Sequence, residues 1–145
     1  MFSRLIRGHA NLSRELSARL ITEHGLTIND YEALLHLSHA DEHGLKRVDL
    51  AERLMLTPSG VTRLLDGLER DGWVCKGQCA SDARITYAVL TPEGRERLES
   101  AGRTHIAQIR EIFEARFSAD ELEQLVELLG RLPGANGLGE SCSPQ

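Results

Sequence analysis

The residues best equipped for chemistry are hydrogen-bonding groups in the middle of the chain. Ser59, Thr62 and Arg63 recur at helical spacing, Arg47 precedes them, and Asp82 and Arg84 follow as an Asp-x-Arg. Hydroxyls and guanidinium groups on one helix face suit base edges and phosphate oxygens, a chemistry of recognition rather than of bond breaking. Catalytic chemistry has weaker support. Gly60, Gly67 and Gly72 do not follow a strand as a nucleotide fingerprint would, no nucleophile elbow is present, and Ser, His and Asp residues are scattered. His36, His39 and His43 have spacings that can share a metal on a helix. That helix is expected to end near Ala40 with no further ligand clearly placed, so a solvated helix end is expected. The chain is thus read as a non-enzyme with no metal and no cofactor.

The elements that must carry these residues centre on Leu50 to Val74, LAERLMLTPSGVTRLLDGLERDGWV. It reads as two short helices joined tightly. The first carries Val48, Leu50, Ala51 and Leu54. The second, about 58–71, opens at Thr57-Pro58-Ser59 and carries Val61, Leu64, Leu65 and Leu68 on one face. Thr57 is a good N-cap, and Pro58 suits the first helical position, where a missing N–H costs nothing. The opposite face shows Ser59, Thr62, Arg63 and Asp66. Asp71-Gly72 stops the helix. Trp73–Gly77 reads as a strand, Gln78–Arg84 as a turn, and Ile85–Leu90 as a returning strand. A helix pair followed by a hairpin is a winged helix-turn-helix, whose second helix enters the DNA major groove. Arg84 near the hairpin tip suits phosphate or minor groove, and Asp82 could hold its guanidinium through a bidentate pair.

TPSGVTRLLDGLERDGWV (57–74), Asp82 and Arg84, and LTPEGRERL (90–98) together resemble the MarR family of bacterial transcriptional regulators. The order of elements agrees over roughly residues 3 to 132. One departure is the wing segment 75–84, CKGQCASDAR, which is less basic than family members often are. The resemblance implies that Leu45-Lys46-Arg47 begins as a short third strand, with Arg47 at the start of the helix-turn-helix and within reach of phosphate. It also implies small aromatic or anionic effectors bound between dimerisation helices and winged helix. His9 and His105 are candidates for such a pocket, with Arg14, Tyr31 and His36 as further lining residues. For His9 and His105 the plainer reading is a satisfied core or interface histidine.

The flanking segments supply amphipathic helices. Phe2–His24 carries an apolar band of Leu5, Leu12, Leu16 and Leu20 with Ile6 and Ile21, and ends at Gly25. Thr27 to about Ala40 follows, with Tyr31, Leu34, Leu35 and Leu37 as its buried side. A long helix from Thr91-Pro92 to about Arg116 carries Leu98, Ala101, His105, Ile109, Ile112 and Phe113. Ser118 to Glu121 is a capping box opening a last helix with Leu122, Leu125, Val126, Leu128, Leu129 and Leu132. The expected architecture is mostly α with a small β-hairpin wing, one domain over residues 1–132. Within it, residues of about 1–26 and 92–132 form dimerisation helices around a winged helix-turn-helix at about 27–91. Residues 133–145 read as a disordered tail.

Composition sets outer limits. The 145 residues suffice for one domain with a real core, lack a secretory signal or membrane span, and fit a cytoplasmic protein. The net charge of −5 at first argues against DNA. The surplus lies elsewhere, however: residues 98–145 hold eight acidic and four basic residues, whereas 43–97 hold eight acidic and nine basic. Binding should therefore be salt-sensitive rather than indiscriminately tight. Three cysteines are not a disulfide framework. Cys75 and Cys79 admit a redox switch of the wing, although the reactive cysteine that redox-sensing family members place in the first helix is missing. The functional expectation is a homodimeric repressor that binds pseudo-palindromic double-stranded DNA and is released by a small effector. The alternatives are a redox-responsive regulator or a winged helix used for protein–protein contact.

Overall fold

The computed structural model describes residues 1–78, 82 and 84–133. They form α1 (Phe2–His24), α2 (Ile28–Ser38), β1 (Leu45–Lys46), α3 (Arg47–Arg53), α4 (Pro58–Arg70), β2 (Val74–Gln78), β3 (Thr86–Leu90), α5 (Pro92–Glu114) and α6 (Ala119–Gly130). The sheet is antiparallel in the order β1-β3-β2. Leu45 pairs with Ala88, and Val74 with Leu90, so the strands running into and out of the wing close on one short ladder. The mostly helical winged-helix reading holds, with element ends shifted by a residue or two. Arg47 opens α3 rather than lying in the strand.

Two compact units divide the chain, residues 1–106 and 107–145. The first has a core of Leu20, Leu26, Leu34, Leu50, Val61, Leu65, Leu68 and Val74, all fully or almost fully buried. These come from α1, the turn between α1 and α2, α2, α3, α4 and β2, so α4 is held by its apolar stripe from several sides. Local rules fix several of the helix ends. Thr27 and Asp30 form a reciprocal capping box before α2, and Gly25 ends α1 in the left-handed region at φ 67°. Gly44 bends the chain into β1 at φ 76°, where a Cβ would stand 2.0 Å from the Ala88 carbonyl oxygen. Only glycine permits both the conformation and the approach. Val48, expected with the apolar residues of α3, is 71% exposed.

In the second unit, Ser118 and Glu121 form the expected capping box before α6. Phe113 and Phe117 pack with ring centroids 6.1 Å apart. The apolar residues of α6 are not buried: Val126 is 72% exposed and Leu128 56%. α1 is similar in its N-terminal half, where Phe2, Leu5 and Ile6 are exposed and burial is confined to Leu16 and Leu20. The expected apolar stripes are therefore present, and a single chain leaves much of their surface to water. No helix among the described residues is long and apolar enough to cross a membrane. The tail beyond Pro133 lies outside the described residues.

Candidate nucleic-acid interface

α4 starts where Thr57 Oγ1 accepts the Gly60 N–H at 3.1 Å, with Pro58 in its first turn. This cap sets the rotation of the helix. Val61, Leu65 and Leu68 point into the core, and Ser59 and Arg63 stand exposed on the other side. Thr62 is half-buried and differently engaged. Its hydroxyl donates to the Pro58 carbonyl at 2.8 Å and accepts from Arg47 Nη1 at 3.4 Å. Arg47, expected as a phosphate anchor at the edge of the unit, is thus drawn against the reading helix. A cleft of about 410 Å³ lies here, lined by Arg47, Thr62, Leu65, Asp66, Lys76, Gly77 and Thr86.

The root of the wing is tied to α4 by an arrangement that the sequence reading did not identify. Lys76 Nζ on β2 lies 2.6 Å from Asp66 Oδ1 and 2.8 Å from Glu69 Oε2. Glu69 Oε1 also accepts the Lys76 backbone N–H at 3.3 Å. Donating hydrogen bonds to Asp66 and Glu69 pushes the Lys76 ammonium above its usual range. The bond from Lys76 in turn holds the Glu69 carboxyl low. Asp66, on the polar face of the helix, pairs with Lys76. The signal was two acids three residues apart on α4 facing a strand lysine, but the pairing depends on how β2 folds back.

At the wing, Asp82 and Arg84 are both exposed. Asp82 Oδ1 accepts the Arg84 backbone N–H at 2.9 Å, and Ile85 N–H donates to the Asp82 carbonyl at 3.0 Å. The observed contact corrects the expected bidentate pair: Asp82 shapes the backbone turn and does so without engaging the guanidinium. A short carboxylate two residues before an N–H forms this Asx-type turn readily. Cys75 is a free, exposed cysteine with its Sγ 3.8 Å from the Val89 carbonyl. Cys79 lies outside the described residues, so the proposed cysteine pair does too.

Of the five residues considered for an effector pocket, two come together: the Tyr31 and His105 rings lie 4.8 Å apart, tilted by 50°. His36 is buried on α2, not at a solvated helix end, whereas His39 and His43 are exposed. The helix turns His36 inward beside Leu34 and Leu37. Burial lowers the pKa of both His36 and His105. Neither His36 Nε2 nor His105 Nδ1 has a hydrogen-bond partner among the described residues. His9 and Arg14 are exposed on α1 and bond within their own helix, to Ser13 and Asn11.

The MarR family model matches residues 26–86, which span the helix pair and most of the hairpin. The HTH-type transcriptional repressor YetL of Bacillus subtilis is 36% identical over 108 residues, 74% of this chain and 64% of YetL. The chain therefore spans less than two thirds of that relative's length. Two Streptomyces coelicolor structures are similar throughout. Sco3205, a MarR family transcriptional regulator solved in complex with DNA, has a TM-score of 0.81 at 27% identity, covering 97% of this chain and 86% of Sco3205. Sco5413, another MarR family transcriptional regulator, has a TM-score of 0.79 at 31% identity, covering 94% of this chain and 92% of Sco5413. With the capped reading helix, the three-stranded wing and these likenesses in hand, the chain belongs to the MarR family of transcriptional regulators.

Proposed function

We propose that the protein is a sequence-specific DNA-binding repressor acting as a homodimer. The observation that carries this reading is the solvent-facing polar side of α4, with Ser59 and Arg63 exposed beside a capped N-terminus. α4 enters the major groove. Ser59 and Arg63 meet base edges or phosphate, and Thr62 contributes by holding Arg47 toward the backbone. Arg84 reaches the neighbouring minor groove or phosphate from the turn that Asp82 shapes. The open apolar surfaces of α1 and α6 support dimerisation, since exposed apolar area of this extent favours a partner. A two-fold dimer then reads a pseudo-palindrome whose half-sites lie about one DNA turn apart. The DNA complex of Sco3205 supports the same mode of action.

A small aromatic or anionic effector is the proposed release signal. Tyr31 and His105, already in ring contact, and buried His36 are its first candidate contacts, with His9 and Arg14 available from α1. Hydroxyl-radical footprinting on the intergenic DNA upstream of the gene tests the dimeric reading. Two protected half-sites about ten base pairs apart are expected. One isolated protected patch would leave a monomeric binder.

A further inference from the structure

The reading head and the long helices meet at one guanidinium. α5 opens against the turn that ends α4. Thr91 N–H donates to the Trp73 carbonyl at 3.1 Å, and Thr91 Oγ1 donates to the Gly72 carbonyl at 2.7 Å. The same Oγ1 accepts the Gly94 N–H at 3.0 Å. A Cβ on Gly94 would stand 2.0 Å from the Trp73 carbonyl oxygen, so α5 sits directly on the root of the wing. One turn further along, the Arg97 guanidinium lies over the Trp73 indole, 5.0 Å from the ring centroid. Its Nη1 also donates to the His24 carbonyl at 3.4 Å.

That carbonyl belongs to the last turn of α1, where the backbone oxygens have no intrahelical donor and the helix dipole is negative. The same turn is fastened to α5 again. His24 Nε2 lies 2.8 Å from Thr104 Oγ1, and Thr104 Oγ1 donates to Glu23 Oε2 at 3.3 Å. One side chain of α5 therefore spans from the end of α1 to Trp73 in the turn between α4 and β2. A planar cation over an indole face has a preferred centre, and a backbone carbonyl cannot rotate away as a side chain can. The two anchors together define an orientation, where either alone would only define a distance.

We propose that Arg97 is a positioning residue that fixes the angle of α4 and the wing against α1 and α5. In the dimer it thereby sets the distance between the two reading helices. This rests on the dimeric DNA-reading function proposed above. One base pair of altered half-site spacing displaces a head by about 3.4 Å, so discrimination between spacings needs a stiff joint.

Two readouts test it, one of them independent of DNA. Nitroxide labels at Thr22→Cys on α1 and Glu52→Cys on α3, both exposed positions, report the angle in protein diluted with unlabelled chains. Cys75, Cys79 and Cys142 are replaced by serine in that background. The parent should give a narrow distance distribution. Arg97→Met keeps the stem over Trp73 but loses charge and donors, and should broaden it at least twofold. Arg97→Lys, which keeps the cation, should restore it. Anisotropy titrations on duplexes with half-sites one base pair closer or farther should show at least a tenfold loss of spacing discrimination in Arg97→Met and none in Arg97→Lys.

A distribution for Arg97→Met as narrow as the parent's overturns the proposal, as does a broad one with spacing discrimination intact. Broadening in a protein whose parent form selects no duplex leaves the joint standing and removes the DNA-reading function instead. Thermal melting reports whether each variant folds. Should Arg97→Met not fold, Trp73→Phe, which narrows the ring face, is expected to broaden the distribution, and an unbroadened one overturns the proposal equally.

Discussion

Thr62 has both sides of its hydroxyl engaged within the protein, the proton by Pro58 and the lone pair by Arg47. In the proposed recognition it therefore holds a guanidinium, while Ser59 and Arg63 stand exposed on α4, the Ser59 hydroxyl 3.3 Å from Thr57 Oγ1. Arg84 is different again, exposed on a turn and bound to Asp82 through its backbone alone. Arg84→Ala should weaken binding to all sequences alike and reduce the slope of log affinity against log salt by about one. An unchanged slope removes Arg84 from the phosphate contacts. His36 and His105 make a second residue-scale prediction. Burial holds their folded pKa values below the ordinary 6.5. As pH falls through 6.5, the unfolded chain takes up protons that the folded chain refuses, so stability is full above 6.5 and declines below it. Melting temperature should drop between about pH 7.5 and 5.5, and less so in a His36→Leu/His105→Leu double variant. Glu32, whose pKa burial raises, works in the opposite direction but is common to both proteins. An equal drop in both would assign the acid sensitivity to other groups.

Among the elements, the reading helix and its cap were legible because their signals are local. Thr57-Pro58 and the spacing of Val61, Leu65 and Leu68 specify α4 without reference to the rest of the chain. The capping boxes of α2 and α6 are local in the same way. The strap from Lys76 to Asp66 and Glu69 was not legible, since it depends on the register with which β2 folds back beside α4. The Asp82 turn was misjudged for a related reason: a carboxylate two residues from an arginine can serve its side chain or its backbone, and turn geometry selects the backbone. The burial of His36 was not legible, because helical spacing alone does not say which way the end of α2 turns. The demand on Gly44 was not legible either, since it depends on where β3 passes. Gly44→Ala forces a Cβ into the Ala88 carbonyl at a left-handed position. Strain and overpacking together should cost about 3 kcal/mol in urea unfolding. A cost under about 1 kcal/mol would mean the turn rearranges freely.

For the whole molecule, net charge pointed one way and charge placement the other. A chain at −5 presents Arg47, Arg63 and Arg84 on or beside one helix-and-hairpin unit, while much of its acidic surplus follows residue 97. The open apolar faces of α1 and α6 belong to this scale as well, because sequence periodicity reveals a stripe but not what covers it. Selective DNA reading is best checked by anisotropy titration. A duplex from the intergenic region upstream of the gene is compared with a scrambled duplex at two salt concentrations. Tight, salt-dependent binding to the first is expected, roughly a thousandfold or more above the second. Equal, weak binding to both would contradict it and favour a winged helix that serves protein contacts.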